Sequence, residues 1–204
     1  MRIIAGERRG AQIEAPPGLI ARPMCDQVRT ALFNILGPER VEGARALDLF
    51  AGSGSLGLEA ISRGAESCLF VERASICLKT IEKNVAHLRF GDRAILRRAD
   101  LARGVAGLKA PGLSPFTLVL MDPPFPLLRK PPGPGEANVK EILRELGTVP
   151  GLLNPDARIC LETPSELFRI EGELEAMGLT LVLRREYGST ALVLLEPRGN
   201  APPV

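Results

Sequence analysis

A short apolar run, a glycine turn and the start of a helix follow one another at residues 46–62. Ala46–Phe50 reads as a buried strand, and Leu56–Ser62 reads as a helix that stops before Gly64. Between them, Gly52-Ser53-Gly54-Ser55-Leu56-Gly57 satisfies G-x-G-x-x-G. Such a match is weak alone, and the strand before it and helix after it give it meaning. Glycines at this junction let backbone N–H groups approach a ligand at the carboxyl end of the strand.

The same alternation continues downstream. Ser67–Glu72, Ala94–Arg98, Thr117–Met121 and Arg158–Glu162 read as further strands. Helical patterns at Ser75–Phe90, Asp100–Leu108, Val139–Thr148 and Leu167–Met177 separate them. Strands joined by helical crossovers require a mostly parallel sheet with helices on both faces. Leu179–Glu186 and Thr190–Glu196 form a closing hairpin around Tyr187-Gly188-Ser189, which adds one antiparallel strand and brings the sheet to seven. Residues 25–36 read as a helix ended by Gly37-Pro38, and residues 1–20 as an extended or hairpin-like arm. The proline- and glycine-rich stretch 126–137 reads as a loop. The expected organisation is an N-terminal arm and helix over 1–40, a main domain over 41–196 and a frayed tail over 197–204. With 204 residues, one α/β domain and a small extension fit the length.

Bulk properties exclude several functional classes. A net charge of +2 rules out a polycation, so nucleic-acid contact must come from a local patch. The only histidine is His87, which argues against a Ser-His-Asp triad and a histidine-rich metal site. Cys25, Cys68, Cys77 and Cys160 form no C-x-x-C pair, as expected of reduced thiols in a cytoplasmic protein. No apolar run reaches the roughly 18 residues of a membrane span, and residues 1–15 lack a signal-peptide core.

Two ligands compete for the glycine turn. A dinucleotide would place its pyrophosphate on the helix N-terminus and a ribose on Glu72. S-adenosylmethionine would use Phe50, Ala51, Gly52, Ser53 and Gly54 as the cradle, Glu72 on the ribose hydroxyls and Asp100 at the adenine amine. Asp48 favours the second, because a carboxylate before the turn repels pyrophosphate and suits an ammonium group. The plain alternative is that Asp48 only caps the helix.

Asp122-Pro123-Pro124-Phe125 ends another apolar run. The prolines fix φ and lack N–H donors, so their carbonyls can face outward rigidly. Phe125 can stack on a flat ring. Two acceptors, Asp122 and the Pro123 carbonyl, would draw an exocyclic amine of a base out of conjugation. Asp122 would then stabilise the charge growing on nitrogen and take the released proton. The plain alternative is that Asp-Pro-Pro is only a turn.

These motifs resemble the amino-methyltransferase branch of the Rossmann-like class I methyltransferases, which carry [DNS]-P-P-[FYW]. Arg2–Gly6, Arg9-Gly10, Arg22-Pro23 and Asp26–Leu36 narrow the resemblance to the RsmD family. That family methylates N2 of a guanine in small-subunit (16S) ribosomal RNA with S-adenosylmethionine. The resemblance implies RNA phosphate contacts at Arg2, Arg8, Arg9, Arg22 and Arg29, and a free RNA or an assembling 30S particle as substrate. It also implies a monomer that needs no metal, since the sulfonium is already activated. Met24 and Thr30 depart from the family's usual threonine and glutamate, and the 126–138 stretch is longer. Rival readings are a DNA adenine-N6 methyltransferase, a NAD-dependent dehydrogenase and a non-catalytic RNA chaperone of the same fold.

Overall fold

The computed structural model describes residues 1–18, 24–109, 112–129, 133–166, 170 and 172–199. Six helices occur among these residues: α1 (Asp26–Leu36), α2 (Pro38–Val41), α3 (Ser55–Ser62), α4 (Ser75–Leu88), α5 (Pro126–Arg129) and α6 (Val139–Thr148). The strands are β1 (Arg45–Leu49), β2 (Ser67–Glu72), β3 (Ala94–Arg98), β4 (Phe116–Met121), β5 (Leu153–Pro164), β6 (Leu179–Tyr187) and β7 (Thr190–Pro197). They build one seven-stranded sheet of order β3-β2-β1-β4-β5-β7-β6. Pairing is parallel from β3 to β5, and β7 runs antiparallel to both neighbours. The order reverses between β1 and β4, which leaves a crevice at their carboxyl ends.

Side chains alternate between two apolar layers, as period-two strands require. Ala46, Leu118, Leu120 and Cys160 pack under α1, α3 and α4. Leu47, Leu49, Val119, Met121, Ile159 and Leu161 pack under α6 and the 3-10 turns. Gly57 of α3 faces the sheet so closely that a Cβ would lie 2.4 Å from the Phe70 ring and 2.6 Å from Cys68 Sγ.

The arm is a docked hairpin. Ile3 N–H donates to Ala11 O, and Ile13 N–H donates to Met1 O, both at 2.9 Å. Ile3 and Ile13 are buried in the layer beneath α1. Buried Glu59 accepts from Ile4 N–H at 2.7 Å and Ala5 N–H at 3.0 Å, and pairs with Arg63 at 2.7 Å. Gly6, at φ 81°, touches Ser62 so closely that a Cβ would fall 1.8 Å from its carbonyl oxygen.

Several expected elements differ. Asp100–Leu108 is not one helix but two 3-10 turns, Leu101–Arg103 and Ala106–Leu108, separated by Gly104 at φ 80°. Of the helix expected over 167–177, the described residues show one 3-10 turn, Glu175–Met177, while residues 167–169 and 171 lie outside the described set. Gly172 in its middle costs about 1 kcal/mol of helix stability relative to alanine. The 126–137 loop opens with the short helix α5, whose Leu127 and Leu128 pack on the core. The expected tail starts too early: Pro197 ends β7, and Arg198 N–H donates to Gly178 O at 2.7 Å. Ile76, expected on the apolar face of α4, is 40% exposed in its first turn.

Candidate active site

The carboxyl ends of β1, β2 and β4 open into one cavity of about 770 Å³. Its wall holds Asp48, Phe50, Ala51, Gly52, Ser53, Glu72, Asp100 and the whole Asp122–Phe125 segment. The two motifs therefore share one cavity, as the sequence reading requires. Gly54 lies just behind the wall as the N-cap of α3, at φ 77°. A Cβ on it would come 3.2 Å from Ile81.

The turn between β1 and α3 is tight. Gly52 has φ 55°, and Phe50 has φ 61° without being glycine. A bulky residue in the left-handed region marks backbone strain held by its surroundings. Glu72 holds the turn: its Oε2 accepts from Gly52 N–H at 3.0 Å and its Oε1 from Ala74 N–H at 2.8 Å. A carboxylate has roughly four acceptor sites, so two remain for ligand hydroxyls.

Asp48 both braces α3 and lines the cavity. Its Oδ2 accepts from Gly57 N–H at 2.9 Å, satisfying a donor in the first turn of α3, while the residue also lines the cavity. Burial pushes its carboxyl up to about 8, the Gly57 bond opposes this, and Glu72 adds to it. A cationic ligand group beside it would draw the proton off. Asp100 caps the following 3-10 turn through Ala102 N–H at 3.0 Å and lines the far end of the cavity.

Asp122 stands one residue beyond β4. Its Oδ2 accepts from Met24 N–H, just before α1, at 3.2 Å. Met121 pairs with Leu161 across β4 and β5, so Asp122 and Glu162 sit side by side on the same face. Their side chains hydrogen-bond, and the Asp122 carboxyl is pushed well above the usual range by burial first and then by Glu162. Two carboxyls this close disfavour being charged together, which is the second cause of the upward shift at Asp122. Glu162 is 5% exposed and lines the cavity. Sequence reasoning missed it, together with Tyr187 and Thr190 from the β6–β7 hairpin, which also reach the wall.

The five arginines expected to face phosphates divide. Arg9 is exposed, and Arg2 is exposed beside Asp26 at 3.7 Å. Arg8 is half-buried, with Nε donating to Leu88 O at 2.8 Å. Arg29 is a correction: it is fully buried and donates to Arg2 O at 2.7 Å and Asp26 at 2.8 Å. It ties α1 to the arm, and burial lowers its pKa. Arg22 lies outside the described residues. Cys68, Cys77 and Cys160 are buried free thiols, and Cys25 is exposed. No helix among the described residues is long and apolar enough to cross a membrane.

The family model described as "Conserved hypothetical protein 95" matches residues 1–196. The chain belongs to that family. It is 34% identical over 203 residues to the Bacillus subtilis protein "Putative rRNA methyltransferase YlbH", spanning 98% of this chain and 100% of that one. It is 40% identical over 127 residues to the Escherichia coli ribosomal RNA small subunit methyltransferase D, an alignment covering 61% of this chain and 60% of the relative. The solved structure of the Escherichia coli protein yhhF superposes with a TM-score of 0.77 at 32% identity, over 98% and 99% of the two chains. This family member has the class I methyltransferase fold and is a methyltransferase that uses S-adenosylmethionine. The cavity fits that cofactor. It offers carboxylates for an ammonium and for ribose hydroxyls, and glycines that allow close approach.

Proposed function

We propose that this methyltransferase acts on the exocyclic N2 of a guanine in small-subunit ribosomal RNA. The observation that carries the reading is the shared cavity: Asp122–Phe125 and the β1–α3 turn line the same space. The full-length likeness to YlbH and the partial likeness to methyltransferase D support an rRNA substrate. They also make the cytoplasm the expected compartment.

S-adenosylmethionine supplies an electrophilic methyl group when bound. Glu72 holds the ribose hydroxyls with its remaining acceptor sites, Asp48 receives the ammonium, and Asp100 receives the adenine amine. The backbone of Ala51–Gly54 would lie against the cofactor. Phe125 stacks on a target base taken out of its own stack. Asp122 and the Pro123 carbonyl accept the two N–H groups of the amine, which frees its lone pair for attack. Positive charge then develops on nitrogen beside the Asp122 carboxyl, which stabilises it. Asp122, backed by Glu162, takes that proton. Arg2, Arg8 and Arg9 face the phosphates on the arm side.

Radiolabelled methyl transfer to small-subunit particles lacking this modification, followed by nucleoside analysis, tests the proposal. N2-methylguanosine is the expected product. N6-methyladenosine, or transfer only to duplex DNA, would overturn it.

A further inference from the structure

We propose that a second, arginine-lined groove beside the cofactor cavity grips the phosphate backbone of the substrate RNA, a few nucleotides away from the methylated base. The inference rests on the rRNA reading above and extends it to a surface apart from the N-terminal arm.

The groove encloses about 870 Å³ at the β3 edge of the sheet. Arg73, Arg97, Arg98 and Arg103 line it, and Asp100 is the one carboxylate among its lining residues. Asp100 is already engaged in capping the Leu101–Arg103 turn. Among the described residues, none of the four arginines takes part in an ion pair. Two are oriented by backbone acceptors instead: Arg97 Nη1 donates to Gly107 O at 3.1 Å, and Arg98 Nε donates to Arg73 O at 3.3 Å. A guanidinium carries five N–H donors, so most remain for a ligand. Four like charges set against a single carboxylate repel one another, which an arriving anion relieves. Arginine's planar fork suits phosphate oxygens in particular.

The cofactor does not account for them, because S-adenosylmethionine carries no phosphate. The groove nevertheless adjoins its cavity: Arg73, Ala74, Ala99 and Asp100 line both. Three strand spacings of about 4.8 Å separate β3 from β4, so the groove lies about 14 Å from the end of β4 that bears Asp122. A single strand whose base is held beside Phe125 spans that distance within a few nucleotides.

The test uses the full chain and the same small-subunit particles, together with naked small-subunit rRNA. Arg98→Ala with Arg103→Ala removes two charges that do not line the cofactor cavity. The slope of log affinity against log salt should fall by about 1.4, given about 0.7 per phosphate contact on single strands. The KM for RNA should rise at physiological salt, while calorimetric affinity for S-adenosylhomocysteine stays unchanged. Arg98→Lys with Arg103→Lys should keep the wild-type slope. An unchanged slope in the alanine variant overturns this inference alone. So does a loss of cofactor affinity in place of RNA affinity. Absence of RNA binding by the wild-type protein would overturn both the groove and the rRNA reading.

Discussion

The chemistry centres on three carboxyls that the sheet places on one face. Asp122→Asn removes the proton acceptor and should lower kcat by about 10²–10⁴-fold, with little change in S-adenosylhomocysteine affinity, as single-turnover methyl transfer and calorimetry would show. Glu162→Gln removes the neighbour that raises the Asp122 carboxyl. The acid limb of the kcat/KM profile should therefore move to lower pH; a profile that keeps its position would assign Glu162 a packing role only. Asp48 makes a prediction about stability. Its folded value of about 8 lies above the roughly 3.9 of an unfolded aspartate, so the folded state holds the proton between these limits. The contribution is fully present below about pH 4 and is lost as pH rises through 8, by up to about 1.4 kcal/mol per pH unit. Urea titrations of wild type and Asp48→Asn at pH 5 and pH 8 should show that the variant loses this part of the slope.

At the scale of elements, two close contacts hold the site in place. Gly57→Ala forces a methyl into Phe70 and Cys68, which should cost about 1–3 kcal/mol in chemical denaturation and loosen the turn that Asp48 and Glu72 brace. Glu59→Gln breaks the buried pair with Arg63 that also anchors Ile4 and Ala5. It should cost about 3–5 kcal/mol and make residues 1–13 cleavable in limited proteolysis. Strands β1 to β4 were legible because each holds an apolar run, but of β5 only Arg158–Glu162 was, since its first residues, Leu153-Asn154-Pro155-Asp156, carry no apolar alternation. The 3-10 turns were not, because Leu101, Val105 and Leu108 satisfy a helical spacing that Gly104 then interrupts. The two site motifs were legible because each is local in sequence. Glu162 was not, since its role exists only once β5 lands in register beside β4. Arg29 counted as surface charge in the sequence, yet the arm folds across it and buries it.

For the whole molecule, the sheet order sets where everything happens. Every residue proposed for cofactor or base lies at the carboxyl end of a parallel strand or in the turn that follows it. The arginine groove adjoins that rim, while the tip of the arm, Gly6–Arg9, docks on the C-terminal ends of α3 and α4 at the other end of the strands. The opposite border of the sheet, β6, has a different consequence. It carries Arg184, Arg185 and Glu186 in succession, and its pairing with β7 slips between Leu181 and Leu183, leaving Val182 44% exposed. A kinked, charged margin is a poor template for an incoming strand from another copy, because docking would strip water from three ionic side chains against a misaligned ladder. The protein should therefore elute at the mass of a single chain in light-scattering chromatography, even at high concentration. Straightening that margin by deleting Val182 should be enough to invite self-association.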